Sequence, residues 1–288
     1  MIITVDKKTQ INSLTKAASL ANDNDTIQIM EGDYYEKVKI TKSNIKIEGI
    51  GDVRIINNDY ALKIHQDGKE YNTFRTYTLE IIGNNLEIDN VTIINSSGDG
   101  RTYGQAVALA TIGDNIKFNN CTFDAYQDTI FVGPLPLDLI DRYQGFLEKD
   151  ELVYPLNHRI YFNNCTISGD VDFIFGAGSG IFNNCIIYTK ERCGYICAPA
   201  TEVSDNEGFI FNNCSFKSNF PTNKSYLARP WRDYGKVTFN NCLYENHIVD
   251  EGFDKWNDTH RDKSARFFEY NCHYIDNHPF KRVNWINK

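Results

Sequence analysis

Two aspartates occupy matching places in this chain. Asp128 lies seven residues after Cys121 and Asp172 seven after Cys165, and each cysteine closes the same phrase, Phe-Asn-Asn-Cys. If the phrases repeat as stacked parallel strands, the two carboxyls stack at a backbone spacing of roughly 4.8 Å. Like charges that close raise one pKa and split the titration, so the pair costs stability unless something uses it. A pair with one member ionised and one protonated suits nucleophilic and acid–base chemistry. Gln127 adds an amide donor beside Asp128, matched to a developing oxyanion. Strand alternation sends Phe173 and Phe175 to one side and Asp172, with Asp170, to the other; Asp170 has no partner in phase with Asp128. The plain alternative is two surface carboxylates on a solvated face.

The elements that would position these residues follow from the phrase. It recurs at residues 118–123, 162–167, 182–187, 211–216 and 239–244, with a weaker copy at 270–274 and an earlier one at 88–93 that has Val91 in the cysteine place. The phrase cysteines, Cys121, Cys165, Cys185, Cys214, Cys242 and Cys272, are separated by 44, 20, 29, 28 and 30 residues. Asparagine tolerates the left-handed backbone of a tight turn, and short β-branched or aromatic runs follow each one. A period of this length fits a parallel β-helix or a leucine-rich array, and the leucine consensus of the latter is missing. Helical periodicity is confined to residues 14–21, where a solenoid needs an end cap. The expected fold is therefore all-β, a single right-handed parallel β-helix domain over 1–288 with a short N-terminal capping helix. The 44-residue gap carries an insertion, about 133–157, between the two aspartate coils.

Composition narrows the classes. Lys+Arg 30 against Asp+Glu 38 gives −8, which argues against a nucleic-acid or anionic-membrane surface. No apolar run reaches the roughly 18–20 residues that span a bilayer. Six of the eight cysteines sit at one phase of the repeat, as small inward-facing apolar residues would, and their spacing resembles no zinc site. Cys193 and Cys197, four apart in a strand-like segment, do not resemble one either. The six histidines show no ligand spacing, and no Gly-x-Ser-x-Gly elbow is present. The start of the chain has no signal-peptide pattern, and free thiols persist best in a reducing compartment, so a cytoplasmic location is expected for the chain as given, or secretion if a leader has been removed.

Five separated phrases, in order, resemble the pectin methylesterase (pectinesterase) family. They are Gly32-Asp-Tyr-Tyr-Glu36, Gln105-Ala-Val-Ala-Leu109, Tyr126-Gln-Asp-Thr-Ile130, Asp172-Phe-Ile-Phe-Gly176 and Leu227-Ala-Arg-Pro-Trp231. Softer similarity includes Gly194-Tyr-Ile-Cys-Ala-Pro199 and Arg282-Val-Asn-Trp285. The resemblance implies hydrolysis of the C6 methyl ester of galacturonate in pectin or methyl-esterified oligogalacturonides, by a monomer without metal or cofactor. Asp172 would be the nucleophile and Asp128 the general acid, then general base. Gln127 and Gln105 would hold the oxyanion, and Arg229 would keep Asp172 ionised. Trp231 would wall the sugar site and Trp256 stands where the family often has two tryptophans. Tyr126 and Phe173 are candidates for the sugar site, and equally for the core. Ala228 replaces a glycine usual in the family, harmless unless that place needs positive φ. The insertion resembles one of bacterial members and is expected to wall the cleft. Glu36 is expected to be structural. A polygalacturonan glycosidase on the same fold and a non-catalytic polysaccharide-binding solenoid remain the alternatives.

Overall fold

Each copy of the repeated phrase lies directly on the next. The computed structural model describes residues 1–192, 194–220 and 224–286. All strand pairings within its sheets are parallel, and the phenylalanines that open the phrase pair in register, Phe118 with Phe162, Phe162 with Phe182, Phe182 with Phe211 and Phe211 with Phe239. Their rings stack at centroid distances of 5.2, 4.7, 4.4 and 5.1 Å, all within 11° of parallel. Phe182 is fully buried in the middle of this column. Truncation there leaves a cavity that neighbours on both sides cannot fill, so Phe182→Ala is expected to cost about 3–5 kcal/mol in denaturant unfolding.

The two asparagines of the phrase divide the labour of turning. The first forms a ladder: Asn163 Nδ2 donates to Asn119 Oδ1 at 2.9 Å, Asn183 to Asn163 at 2.9 Å, Asn212 to Asn183 at 3.0 Å and Asn240 to Asn212 at 2.9 Å. The second, at Asn120, Asn164, Asn184, Asn213, Asn241 and Asn271, takes the left-handed backbone with φ of 52–55°. Each thiol then points inward and donates to a carbonyl of the coil below, as Cys185 does to Phe162 at 3.3 Å and Cys214 to Phe182 at 3.4 Å. The cysteines at the described positions are free. Cys193 lies outside the described residues.

The strands form a parallel β-helix of three faces. Two bend into one another around the asparagine turns, and Lys46–Asn57 spans both, pairing with Leu86–Asp89 and then with Thr92–Asn95. The third face is a separate sheet whose order runs Val38–Ile40, Leu79–Ile82, Leu109–Ile112, Ile130–Val132, Ile174–Gly176, Tyr195–Pro199, Tyr226–Ala228. The helix Leu14–Leu20 caps the first coil, burying Leu14, Ala17 and Ala18. Ser13 caps its start, and the Glu36 carboxylate accepts from the Leu14 and Thr15 amides at 2.8 and 3.1 Å, which gives Glu36 a structural task. No described helix is long and apolar enough to cross a membrane.

Residues 133–157 leave the third sheet after Ile130–Val132 and lead into Arg159–Asn163 of the larger sheet. They contain the helix Leu137–Arg142, and Leu139, Tyr143 and Leu147 join Phe74, Phe131 and Phe175 in a second apolar cluster on the outside of that sheet. Tyr143 Oη donates to Asn72 Oδ1 at 3.0 Å, and the Lys39 ammonium meets Glu148 at 2.8 Å and Asp150 at 3.0 Å. The insertion is thus a packed lobe with its own apolar and ionic contacts to the sheet.

Candidate active site

On the third face the aspartates lie one coil apart. Ile130 pairs with Ile174, so Asp128 and Asp172, two residues earlier on each strand, occupy equivalent positions. Gln127 bridges Val171 in the same register. Asp128 N donates to Val171 O at 3.1 Å and Asp172 N to Tyr195 O at 2.6 Å. Both aspartates have left-handed backbone, φ 66° and 48°, a conformation open to Asp through its short polar side chain. That turn aims both carboxyls outward, into a cleft of about 440 Å³.

Gln105, Gln127, Asp128, Asp172, Arg229, Trp231 and Trp256 all line this cleft. Arg229 forks onto Asp172, with Nε 2.9 Å from Oδ1 and Nη2 2.5 Å from Oδ2. Its guanidinium is clamped between the rings of Tyr195 at 3.7 Å and Trp256 at 3.9 Å, which fixes the fork before any ligand arrives. Trp256 therefore serves Arg229 as well as the cleft wall. Ala228 lies in the strand Tyr226–Ala228, paired with Cys197 and outside the positive-φ set, so the alanine there is unstrained.

Burial pushes the Asp128 carboxyl well above its ordinary range, and the Asp172 charge pushes it further against the pull of Arg229. Burial raises Asp172 as well, but the hydrogen bonds and charge of Arg229, then the charge of Arg192, oppose the rise. The proton of the pair therefore belongs on Asp128 and the charge on Asp172. Gln127 Oε1 accepts from Arg192 Nη1 at 3.3 Å, which leaves its Nε2 as a donor for the cleft. A Cβ at Gly100 would come 2.5 Å from that Oε1, so only glycine lets the short helix Gly100–Tyr103 sit so close.

Two sequence assignments are corrected. Phe173 is fully buried in the inner core beside Ile174, and Phe175 lines the cleft instead. The alternation count failed because the left-handed backbone at Asp172 resets the facing of the next residues. Tyr126 lies outside the cleft lining, with the Lys190 ammonium 4.0 Å above its ring. The residues that sequence reasoning missed come from loops out of phase with the repeat: Arg192 behind Gln127, Thr73 and Phe74, and Leu139, Arg142 and Tyr143 of the insertion. Among the described residues one carboxylate group, Glu148, Asp150 and Glu151, is tight enough to share a cation. None of the three lines the cleft, and the Lys39 ammonium already sits against two of them.

Asp170, fully buried, has no hydrogen-bond partner for either carboxyl oxygen among the described residues, and burial raises its pKa to about 6. An acid raised on folding contributes fully below its unfolded pKa, and that contribution is lost as pH rises through the folded value. Stability should therefore fall by about 3 kcal/mol between roughly pH 4 and pH 6 on account of Asp170. Asp170→Asn is expected to flatten that part of the stability–pH curve, measured by urea unfolding at half-unit steps.

A family model described as Pectinesterase matches residues 1–134 and 142–288. The chain belongs to the pectinesterase family. Pectinesterase QRT1 of Arabidopsis thaliana is 31% identical over 99% of this chain and 72% of its own length. The chain spans only 33% and 32% of two further Arabidopsis relatives whose names join pectinesterase with pectinesterase inhibitor. Among solved structures, the pectin methylesterase from Yersinia enterocolitica matches with TM-score 0.78 and 25% identity, over 96% of this chain and 94% of that one. A pectin methylesterase solved in complex with a hexasaccharide matches with TM-score 0.80 and 24% identity, over 99% of this chain and 92% of that one, a likeness of fold. Pectinesterases are carboxylic-ester hydrolases, and the cleft of this chain holds the groups such a reaction calls for.

Proposed function

We propose that this pectinesterase hydrolyses C6 methyl esters of galacturonate in pectin or its methyl-esterified oligomers, releasing methanol and leaving a free carboxylate. The observation that carries the reading is the asymmetry of the stacked pair: a forked, ring-clamped guanidinium on Asp172 and, among the described residues, none on Asp128. An ionised carboxylate is a nucleophile, and a buried protonated one is a general acid.

In the first step an Asp172 oxygen attacks the ester carbonyl carbon. The carbonyl π electrons move to oxygen, where the side-chain amides of Gln127 and Gln105 donate to the developing charge. The intermediate collapses as the C–O bond to the methoxy group breaks, and the Asp128 proton goes to the departing oxygen. The products are methanol, a mixed anhydride on Asp172 and an ionised Asp128. In the second step Asp128 takes a proton from water as the oxygen of that water attacks the substrate acyl carbon. The anhydride bond breaks, the electron pair returns to Asp172, and Asp128 is protonated again. Arg229 steadies Asp172 as nucleophile and as leaving group. Trp231 and Phe175, 5.8 Å apart edge to face, give the sugar an apolar wall.

Methanol and new reducing ends, counted together on methyl-esterified oligogalacturonide, test the reading. Methanol with reducing ends flat is the expected result. New reducing ends would replace it with a glycosidase, which also uses a carboxyl pair but has little use for oxyanion donors. Sugar binding without either product would leave a binding solenoid.

A further inference from the structure

Beneath the insertion, carboxyls outnumber the cations that could answer them. Glu80, on the strand Leu79–Ile82, is buried where the lobe meets the third sheet. The ammonium of Lys39, its cross-strand partner, stands 3.5 Å from it, 2.8 Å from Glu148 and 3.0 Å from Asp150. A fourth carboxyl, Glu151, adjoins Glu148 and Asp150 and shares with Glu80 a small pocket walled by Phe74, Phe131, Leu135 and Leu147. Lys37 also feels Glu80 and Glu151, but its ammonium is engaged by Asp59 and the Arg75 carbonyl. Tyr77 adds only a phenol, which burial and the neighbouring glutamates keep protonated. On the other side of Glu80 the strand Leu109–Ile112, paired through Ala110, brings no titratable group. Four carboxyls therefore gather around the one ammonium of Lys39.

Water can carry the charges of Glu148, which is exposed, and Asp150, which is half-exposed, but Glu80 and Glu151 are both buried. Among the described residues Glu80 Oε2 has no hydrogen-bond partner, while Glu151 Oε2 already accepts from the Glu148 amide at 2.6 Å. Two ionised carboxylates are acceptors only and cannot bond one another; one proton makes Glu80 a donor and Glu151 its acceptor. The electrostatics agree: burial first, then the charge of Glu151, lifts Glu80 well above the ordinary carboxyl range, and burial raises Glu151 as well.

We propose that a proton held between Glu80 and Glu151 latches the insertion onto the third sheet, and that its loss at raised pH admits water beneath the lobe and loosens the cleft wall. When the proton passes to solvent, two buried charges are left against the single Lys39 ammonium, and only hydration relieves them. The disturbance has a short route to the cleft. Phe74 lines both the carboxyl pocket and the cleft, and its ring meets Tyr143 of the insertion edge to face at 5.4 Å. The latch is independent of the reaction the cleft performs.

The test follows amide hydrogen exchange of the whole chain from about pH 5 to about pH 9, expressed as protection so that the intrinsic pH dependence of exchange is removed. The probes are the insertion amides bonded within the lobe, Leu147 to Tyr143 O, Glu151 to Glu148 O and Leu152 to Lys149 O. In the wild type their protection should fall about tenfold or more as pH rises, while the strands of the phenylalanine column keep theirs. Glu80→Gln offers a permanent donor in the same shape, so the insertion should stay protected across the range. Glu151→Gln, which also removes one charge of the pair, should flatten the fall too and serves as a second probe if the first variant folds poorly. Wild-type protection that does not change with pH would overturn the latch. So would a fall that persists unchanged in both variants, or one shared equally by the phenylalanine strands. Methanol release does not enter this test, because Asp128 must also keep its proton for activity.

Discussion

Asp172→Asn is expected to lower kcat for methanol release by about 10⁴-fold or more, because an amide cannot form the acyl intermediate. Asp128→Asn should cost less, about 10²–10⁴-fold, since it removes proton transfer and keeps the nucleophile. The two losses differ in kind, and a substrate with a better leaving group separates them. A nitrophenyl ester departs without needing a proton, so Asp128→Asn should form the acyl-enzyme at near wild-type rate. It should then stall, because no base activates water. Mass spectrometry of the quenched protein should show the added acyl group on Asp128→Asn and none on Asp172→Asn. Acylation of both variants, or of neither, would remove the division of roles. Folding is not at issue for Asp128→Asn, because burial already keeps that carboxyl protonated in the folded chain.

The sequence made the scaffold readable because a solenoid repeats its packing problem. Every coil needs a small residue after the asparagine turn and a ring before it, so Cys121 through Cys242 and Phe118 through Phe239 recur at one phase. The same phase placed Asp128 over Asp172 without any structural knowledge. It carried no information on residues outside the repeat. Arg142, Arg192 and Phe74 reach the site from loops of unrelated length, and nothing in their spacing ties them to the aspartates. Phe173 shows a different failure. Alternation is a property of extended backbone, and Asp172, at φ 48°, is not extended. The residue that bears the chemistry is the one that broke the pattern used to place its neighbour.

Arg229 is where site chemistry and stability meet. Its side chain and that of Asp172 are 14% and 11% exposed, so neither charge is well hydrated without the other. Arg229→Leu should leave Asp172 buried without its forked partner, with only the charge of Arg192 to oppose burial, and its pKa, already raised, should rise further. The rate requires ionised Asp172, so the acid limb of the kcat/KM profile should move to higher pH. At neutral pH activity should fall about 10³-fold, as nucleophile and acid come to share one proton between them. Stability moves the same way with pH: a carboxyl raised on folding loses its contribution as pH rises, and a larger rise means a larger loss. The variant should therefore approach wild-type stability at pH 4 and lose about 3–5 kcal/mol by pH 8, the cost of breaking a buried pair. Arg229→Lys keeps the charge but loses the fork and the clamp between Tyr195 and Trp256, so its acid limb should shift less while kcat still falls. Parallel profiles for Leu and Lys would mean that geometry alone matters at this position; a Lys profile with the wild-type limb and a lower plateau is the outcome the ion pair requires.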